Sequence, residues 1–441
     1  MSAGNMVNGF DMSRLGELEP ELRSLVSRRA SVLGPAYRLF YEHPVQFVRG
    51  YGVHLYDAEG NEYLDAYNNV PSVGHCHPRV VDAVSRQVAT LNTHTRYASA
   101  DLLDYAERLL ATHPSYIDNV MFTCTGSEAV DLALRVARYY TGATGVIVTD
   151  NAYHGTTTAA AEISPSLGAG VALGHDVWTI DLPLEEMATS GDVGGELASA
   201  VSRAIADMTH HGVTFAAFVA DSILSSDGLF PDPKGLLRPT ADVVHEAGGL
   251  YIADEVQPGF ARTGDSMWGF TRHGLEPDLV VMGKPMGNGM PIAGVAARSL
   301  LLEEFGATSR YFNTFGGNSV CIAAANAVLD VIEEEHLMEN SRDVGGYLRQ
   351  VLSQLTADRD DVVAVRGAGL YVAANVVSRA DGSPDAERAA QIVNGMRERR
   401  VLISATGRAG NVLKIRPPLP FSRNNVDQFG EALTDVLATL I

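Results

Sequence analysis

Two short apolar runs in the sequence each lead to a charged side chain that could take part in acid–base or covalent chemistry. Residues 250–253 lead directly into Asp254, and residues 279–282 are followed two positions later by Lys284. An acid alone at such a place is most often a helix cap or a solvated turn. A lysine directly after a buried strand is unusual, because lysine is almost never fully buried without a partner. Two strand ends that present an acid and an amine to one crevice therefore predict a catalytic site.

The pattern around these runs predicts the elements that position the two side chains. From about residue 78, short continuous apolar runs bounded by Gly, Asp or Thr alternate with helical stretches such as residues 128–140. Such runs are typical of strands buried on both faces of a parallel sheet. The candidate strands are residues 120–123, 146–148, 215–220, 250–253 and 279–282. We therefore predict a doubly wound, mainly parallel α/β domain that binds ligands at the carboxyl ends of its strands.

The two ends of the chain have a different pattern. Apolar runs flank the turn sequence DAEGN at residues 57–61, which indicates an antiparallel hairpin. After residue 318, long helices are followed by short strands around residues 362–365, 369–375 and 411–416, with a helix near 385–399. We predict a large domain of residues 65–330 and a smaller α+β domain formed jointly by residues 1–64 and 331–441.

Composition argues against several classes of function. The chain has 33 Lys and Arg against 53 Asp and Glu, a net charge of −20, which disfavours non-specific binding to nucleic acid. No apolar run reaches the roughly eighteen residues of a membrane-spanning helix, so we expect no membrane association. The three cysteines are isolated, which argues against a zinc site and a disulfide framework. Without a signal-peptide pattern, these features predict a cytoplasmic protein that holds no metal.

Seven ordered motifs carry a resemblance to a known family. They are GHCHP (74–78), TGSEAVDLALRVAR (125–138), YHG (153–155), DEVQPGFARTG (254–264), GKPMGNGMPIAGV (283–295), FNTFGGN (312–318) and KIRPPL (414–419). From about residue 35 to its end, the chain resembles the class III pyridoxal-phosphate (PLP) enzymes of fold type I, the ornithine, GABA and alanine–glyoxylate type. Val130 and Pro258 depart from the residues usual in that family, but neither departure removes a reactive group. The resemblance implies PLP as cofactor and a homodimer, or a tetramer, with active sites at the subunit interface.

The resemblance implies a role for each reactive residue around the PLP ring. Lys284 would form the Schiff base with the cofactor aldehyde and then carry the proton during catalysis. Asp254 would pair with the pyridine nitrogen and keep it protonated, which makes the ring an electron sink. Gln257 would hydrogen-bond the phenolic oxygen of the ring. His154 of the YHG motif is either a structural histidine or a ligand.

The resemblance also implies how the faces of the ring and the phosphate of PLP are held. Val256 would pack on one face, and Tyr153 would stack on the other. Gly126 and Ser127 lie where a predicted strand turns into a helix, so that free N–H groups would face the phosphate. Thr314 would reach the same phosphate from the neighbouring subunit.

Two departures from the amino-acid transaminases bear on the reaction. Those enzymes often carry, in the motif EPxQGExG, a Glu that pairs with a substrate-reading arginine, and here Ser226 stands in its place. If Arg416 matches that arginine, it has lost its carboxylate partner and could hold an anion permanently. The second departure is Asn68-Asn69, in a segment that by resemblance lines the substrate pocket. Together with Arg96 these side chains would supply donors for a phosphate group, unless the amides only satisfy backbone groups in a turn.

This combination is most similar to the phospho-lyase branch of the family, the ethanolamine-phosphate and phosphohydroxylysine enzymes. We expect a PLP-dependent phospho-lyase whose substrate is a small phosphorylated amine, with O-phosphoethanolamine giving acetaldehyde, ammonia and inorganic phosphate. Phosphohydroxylysine stays open as a substrate. The alternative reaction is that of a class III omega-aminotransferase, which moves an amino group from an amine or omega-amino acid to a keto acid. A subunit that only binds the cofactor is disfavoured, because the reactive residues are all present.

Overall fold

The computed structural model describes residues 6–182 and 192–440, and its strands form three β-sheets. The strands are β1 Phe47–Tyr51, β2 His54–Asp57, β3 Glu62–Asp65, β4 Asn119–Thr123, β5 Gly145–Thr149, β6 Val177–Ile180, β7 Phe215–Asp221, β8 Leu250–Asp254, β9 Leu279–Met282, β10 Ala293–Ala297, β11 Val362–Ala368, β12 Tyr371–Val376, β13 Val401–Leu402, β14 Ser404–Thr406 and β15 Val412–Ile415.

The helices of the same residues connect and cover these sheets. They are α1 Pro20–Leu33, α2 Pro78–Thr90, α3 Ala100–Ala111, α4 Gly126–Thr141, α5 Thr158–Glu162, α6 Val193–His210, α7 Arg238–Glu246, α8 Ser299–Thr308, α9 Ser319–Glu334, α10 Leu337–Thr356, α11 Ala386–Glu398 and α12 Arg423–Thr439. None of the described helices combines the length and the apolar character that spanning a bilayer requires.

The largest sheet has seven strands in the order β4-β10-β9-β8-β7-β5-β6. Strands β9, β8, β7, β5 and β6 run parallel, whereas β10 runs antiparallel to both of its neighbours. In the β8–β9 pair, Asp254 lies opposite Val281. Parallel neighbours bring their carboxyl ends to one edge of a sheet, so Asp254 and Lys284 leave the sheet side by side.

The strands of this sheet are apolar throughout because both of their faces are buried. In β8, Ile252 packs in the cluster that contains the inner face of α4, whereas Tyr251 packs in the opposite cluster with α3, α6 and α9. The same alternation holds in β9, where Val281 and Val280 belong to opposite clusters. Helices on both faces of a mainly parallel sheet confirm the predicted doubly wound α/β fold.

Helix α4 begins directly at the carboxyl end of β4, and a capping box fixes its first turn. The Thr125 hydroxyl accepts a hydrogen bond from the Glu128 N–H (3.2 Å), and the Glu128 carboxylate accepts one from the Thr125 N–H (3.1 Å). The helix ends at Gly142, which has the left-handed conformation common at this position (φ 64°). The cap fixes the first turn at the sheet edge that carries Asp254, since Gly126, Ser127 and Asp254 line one cavity.

The two smaller sheets join the ends of the chain. In the sheet β1-β2-β3-β13, β13 pairs in parallel with β3, so residues from both termini share one sheet. The hairpin expected around residues 57–61 is present as β2–β3, and Asp57 accepts a hydrogen bond from the Asn61 N–H (2.8 Å) in its turn. The other sheet, β11-β12-β15-β14, lies wholly in the C-terminal region. The exact boundaries 1–64, 65–330 and 331–441 stay a prediction.

Candidate active site

Asp254, at the carboxyl end of β8, is a buried carboxylate held by two hydrogen bonds. Its Oδ1 accepts the Val256 N–H (3.1 Å), and its Oδ2 lies 2.7 Å from Nδ1 of the buried His154. His154 follows β5, which β7 separates from β8, so the pair joins two loops at the same edge of the sheet. The Nε2 atom of His154 is buried without a hydrogen-bond partner in the described part of the chain. His154 therefore orients Asp254. From the sequence alone, His154 could have been either a structural histidine or a ligand.

Lys284 leaves β9 beside Asp254 and extends into a cavity of about 360 Å³. Its side chain is exposed to this cavity, while the protein atoms close to its amine displace part of the water around it. This desolvation, reinforced by the positive charge of Arg416, lowers the pKa of the Lys284 ammonium. The amine is therefore closer to the neutral, nucleophilic form than a surface lysine is.

Gly126 and Ser127 line one end of the same cavity. They are the first two residues of α4, where backbone N–H groups have no partner within the helix and the helix dipole favours a negative charge. Gly155 packs against this turn so closely that a Cβ atom there would lie 2.5 Å from the Ser127 hydroxyl oxygen. Gly126 and Gly155, which line this end of the cavity, have no side chain, so a phosphate group could approach their backbone.

Val256 and Tyr153 line the cavity together with the acid and the amine. Val256 is buried and packs against the α4 turn, since a Cβ atom on Gly126 would lie 3.1 Å from its Cγ2. Tyr153 is partly exposed, and its ring centroid lies 5.9 Å from the Lys284 Nζ. The cavity therefore combines an aliphatic surface and an aromatic surface with the two reactive side chains.

Gln257 links the floor of the cavity to a buried acid. Its amide nitrogen donates to the Ser225 hydroxyl (2.6 Å), and that hydroxyl donates to the Asp221 carboxylate. Burial raises the pKa of Asp221 to about 6, and the charge of Asp254 adds to this effect. Asp221 was not among the predicted site residues, because its contact with Gln257 through Ser225 depends on the loop after β7 folding back onto the sheet edge.

Arg416, directly after β15, is a buried guanidinium held by neutral groups. It donates to the side-chain oxygen of Gln257 and to the Tyr67 carbonyl (3.3 Å). Among the described residues it forms no ion pair with a carboxylate. Arg416 lines a second cavity, which we call the substrate compartment. Ser226, which stands where transaminases carry the pairing Glu, also lines this compartment and carries no charge.

This compartment, of about 640 Å³, adjoins the first cavity and shares Tyr153, Gln257 and Lys284 with it. Arg416 and Lys414 also line it. Lys414 was missed in the sequence, although a signal existed, since residues two apart on a strand face the same way. The compartment offers space for a substrate that reaches from the Lys284 amine to two further cations.

The asparagines of the predicted substrate set lie beside the cavity and not in its lining. The Asn68 amide donates to Asp65 (2.9 Å), which also accepts the Asn68 N–H. Asn69 is fully buried, and neither its amide nitrogen nor its amide oxygen has a partner in the described residues. Their substrate contacts stay predictions, and the neighbouring Val70 is the residue of this segment that lines the first cavity.

Arg96 and Thr314 lie outside both cavities of their own subunit. The Arg96 guanidinium carbon is 3.7 Å from the centroid of the Phe312 ring, and both side chains are on the surface. Thr314 is exposed in the same region. The predicted roles of these two residues therefore depend on a neighbouring subunit and stay predictions.

Comparison with known proteins places this geometry in a family. The class III aminotransferase family matches residues 40–437. A Caenorhabditis elegans ethanolamine-phosphate phospho-lyase homologue is 36% identical and covers 94% of this chain and 93% of the relative. A Drosophila melanogaster alanine–glyoxylate aminotransferase 2-like protein is 39% identical over 93% of this chain and 87% of the relative. The structure of an Arthrobacter phospholyase in complex with phosphoethanolamine is 42% identical, with a TM-score of 0.90 over 95% of this chain and 100% of the other.

The cavity fits the PLP that this family uses. The first turn of α4 at Gly126 and Ser127 lines the cavity with backbone N–H groups that suit the phosphate, and the buried Asp254 suits a protonated ring nitrogen. The desolvated Lys284 amine suits the cofactor aldehyde. The chain belongs to the class III aminotransferase family of PLP-dependent enzymes.

Proposed function

We propose that this protein is a phospho-lyase that eliminates phosphate from O-phosphoethanolamine and yields acetaldehyde, ammonia and inorganic phosphate. The observation that carries the proposal is Arg416, a buried cation in the substrate compartment whose partners are a neutral amide and a carbonyl. A transaminase that alternates between two substrates benefits from a carboxylate that can neutralise such an arginine. Here Ser226 leaves it available to an anion at all times.

The residues divide the reaction between the two compartments. Bound PLP supplies an electron sink for the carbon next to the substrate nitrogen. Lys284 takes the proton from that carbon, while Asp254, steadied by His154, holds a proton at the ring nitrogen. Arg416 stabilises the negative charge that builds on the phosphate as the C–O bond of the next carbon breaks. Water then converts the released two-carbon enamine to acetaldehyde and ammonia.

The comparisons support this reaction and also favour a second one. The phosphoethanolamine complex of the Arthrobacter phospholyase and the C. elegans phospho-lyase homologue support the lyase. The Drosophila relative is named for alanine–glyoxylate transamination, so amino transfer from an amine to a keto acid is the alternative function.

Release of inorganic phosphate from phosphoethanolamine separates these two functions. Holoenzyme without any keto acid should release many equivalents of phosphate per subunit. Release that begins only when pyruvate or 2-oxoglutarate is added would support the transaminase and refute the lyase. Phosphohydroxylysine in the same assay compares the two phosphorylated substrates directly.

We further propose that the active form is a cytoplasmic homodimer, with Thr314 completing the PLP phosphate site of its neighbour. Thr314 is exposed and does not line either cavity of its own subunit, as this arrangement requires. Thr314→Ala should weaken PLP binding in spectrophotometric titration while light scattering still reports a dimer. A monomeric holoenzyme, or a variant with unchanged PLP affinity, would contradict this arrangement.

A further inference from the structure

Lys414 is a second cationic side chain in the substrate compartment, two residues before Arg416. Alternation along the strand puts the two residues on the same face of β15 and its extension. The Lys414 Nζ lies 5.8 Å from the centroid of the Tyr371 ring, and the Arg416 guanidinium carbon lies 5.4 Å from it. The fully buried tyrosine thus holds both cations at one wall of the compartment.

The Lys414 side chain has no hydrogen-bond or ion-pair partner among the residues that the structure describes. The charged groups near it are Arg416 and Lys284, which repel it, and Asp221, which is engaged by Ser225. Burial and the two neighbouring positive charges lower the pKa of Lys414 well below its usual value. An amine in such surroundings is costly to the folded protein, and a bound anion would offset that cost.

We propose that Lys414 is a substrate-binding residue that contacts the phosphate group of the phosphorylated amine directly and thereby selects phosphorylated over unphosphorylated amines. This inference rests on the proposed function and deepens it. The Arg416 guanidinium donates hydrogen bonds to Gln257 and Tyr67, so only its remaining N–H groups are free to bind the substrate. A bound phosphate would favour the protonated form of Lys414, whose three donors have no other partner, and the two cations together would match the charge of a phosphate dianion.

The position of Lys414 would also allow the compartment to distinguish phosphorylated from unphosphorylated amines. The amine of the substrate must approach Lys284, which lines both cavities, while its other end extends toward Lys414. An amine that lacks the phosphate would leave Lys414 unpaired and gain nothing from it. Lys414 should therefore affect phosphorylated ligands selectively.

Three variants of the full-length holoenzyme test this assignment. Lys414→Met removes the charge at similar length, Lys414→Arg keeps the charge, and Lys234→Met removes an exposed lysine that pairs with Asp265 away from the site. For each we would measure kcat and KM for phosphoethanolamine, the Kd of inorganic phosphate by calorimetry, and binding of ethanolamine from the absorbance of the cofactor.

Lys414→Met should raise both the KM for phosphoethanolamine and the Kd of phosphate by about tenfold or more, with a smaller change in kcat. Ethanolamine binding should stay unchanged, Lys414→Arg should recover most of the phosphate affinity, and Lys234→Met should match the wild type. An unchanged phosphate Kd in Lys414→Met would overturn the assignment, as would an equal loss for phosphate and ethanolamine. Failure of the wild type to release phosphate without a keto acid would refute the lyase, while the calorimetric comparison would still decide whether Lys414 binds phosphate.

Discussion

Asp227, below the substrate compartment, offers a direct test of the electrostatics of this site. It is a buried carboxyl whose Oδ2 accepts a hydrogen bond from the Thr149 hydroxyl (3.1 Å), and its Oδ1 has no partner in the described residues. Burial, with the charges of Asp221 and Asp150, raises its pKa to about 7. We predict that Asp227→Asn stabilises the protein above neutral pH, because the amide keeps the shape and the Thr149 bond without a charge to desolvate.

The magnitude follows from the difference in pKa between the folded and unfolded states. An unfolded Asp has a pKa of about 3.9, so between pH 4 and 7 the native state binds more protons and the wild type loses stability as the pH rises. Relative to pH 5, full ionisation at pH 8 costs the wild type about 3 kcal/mol, an upper-range figure for one buried group. For a chain of 441 residues this corresponds to a change of about 3 °C in Tm.

The assay is calorimetric unfolding of wild-type and variant holoenzyme at pH 5 and pH 8. The amount by which Asp227→Asn raises Tm above that of the wild type should be about 3 °C larger at pH 8 than at pH 5. The control is Asp104→Asn on the exposed side of α3, which should differ from the wild type by the same amount at both pH values. An Asp227→Asn difference that does not change with pH would refute the reasoning, because it would mean that Asp227 has the same charge in both conditions.

Three further predictions concern the cofactor site. Lys284→Ala should abolish both phosphate release and the absorbance of bound cofactor near the visible edge, and retention of either would remove it from the chemistry. With phosphoethanolamine as substrate, His154→Ala should lower kcat roughly ten- to hundredfold with little change in KM, because the Asp254 carboxylate loses its hydrogen bond to His154. An unchanged kcat would mean that His154 has only a structural role. Gly155→Ala should raise the Kd for PLP in titration, since φ is 144° and the new Cβ would lie 2.5 Å from the Ser127 hydroxyl, whereas Gly170→Ala, which meets open space, should not.

The strands of the large sheet could be predicted where their composition reflects burial on both faces. The predicted runs coincide within a residue or two with β4, β5, β7, β8 and β9. Two other strands, β6 and β10, were not predicted. Strand β10 consists of Ala, Gly and Val with few side chains that favour strands. It exists because β4 and β9 hydrogen-bond to it on both sides, an interaction that no local window of sequence contains.

The reactive pair could be predicted because the strands that lead to Asp254 and Lys284 are recognisable as apolar runs in the sequence. These two strands are also neighbours in the sheet. The remainder of the site is assembled across the two regions of the chain. Arg416 meets Gln257 only because the C-terminal sheet packs over the carboxyl edge of the large sheet. No spacing rule connects residues 159 positions apart in the sequence, so this contact required the fold.

The same packing explains how an acidic chain can prepare a site for a dianion. Burial moves the carboxyls beside the substrate compartment toward their neutral forms, with the pKa of Asp221 at about 6 and that of Asp227 at about 7. These carboxyls are therefore partly protonated near neutral pH, and they neutralise less of the positive charge of Arg416 than fully ionised carboxylates would. The net charge of −20 resides largely on exposed acids, from which solvent and ions screen the compartment. Under the proposed function, selectivity for a phosphorylated substrate would depend on local desolvation and not on the overall charge of the protein.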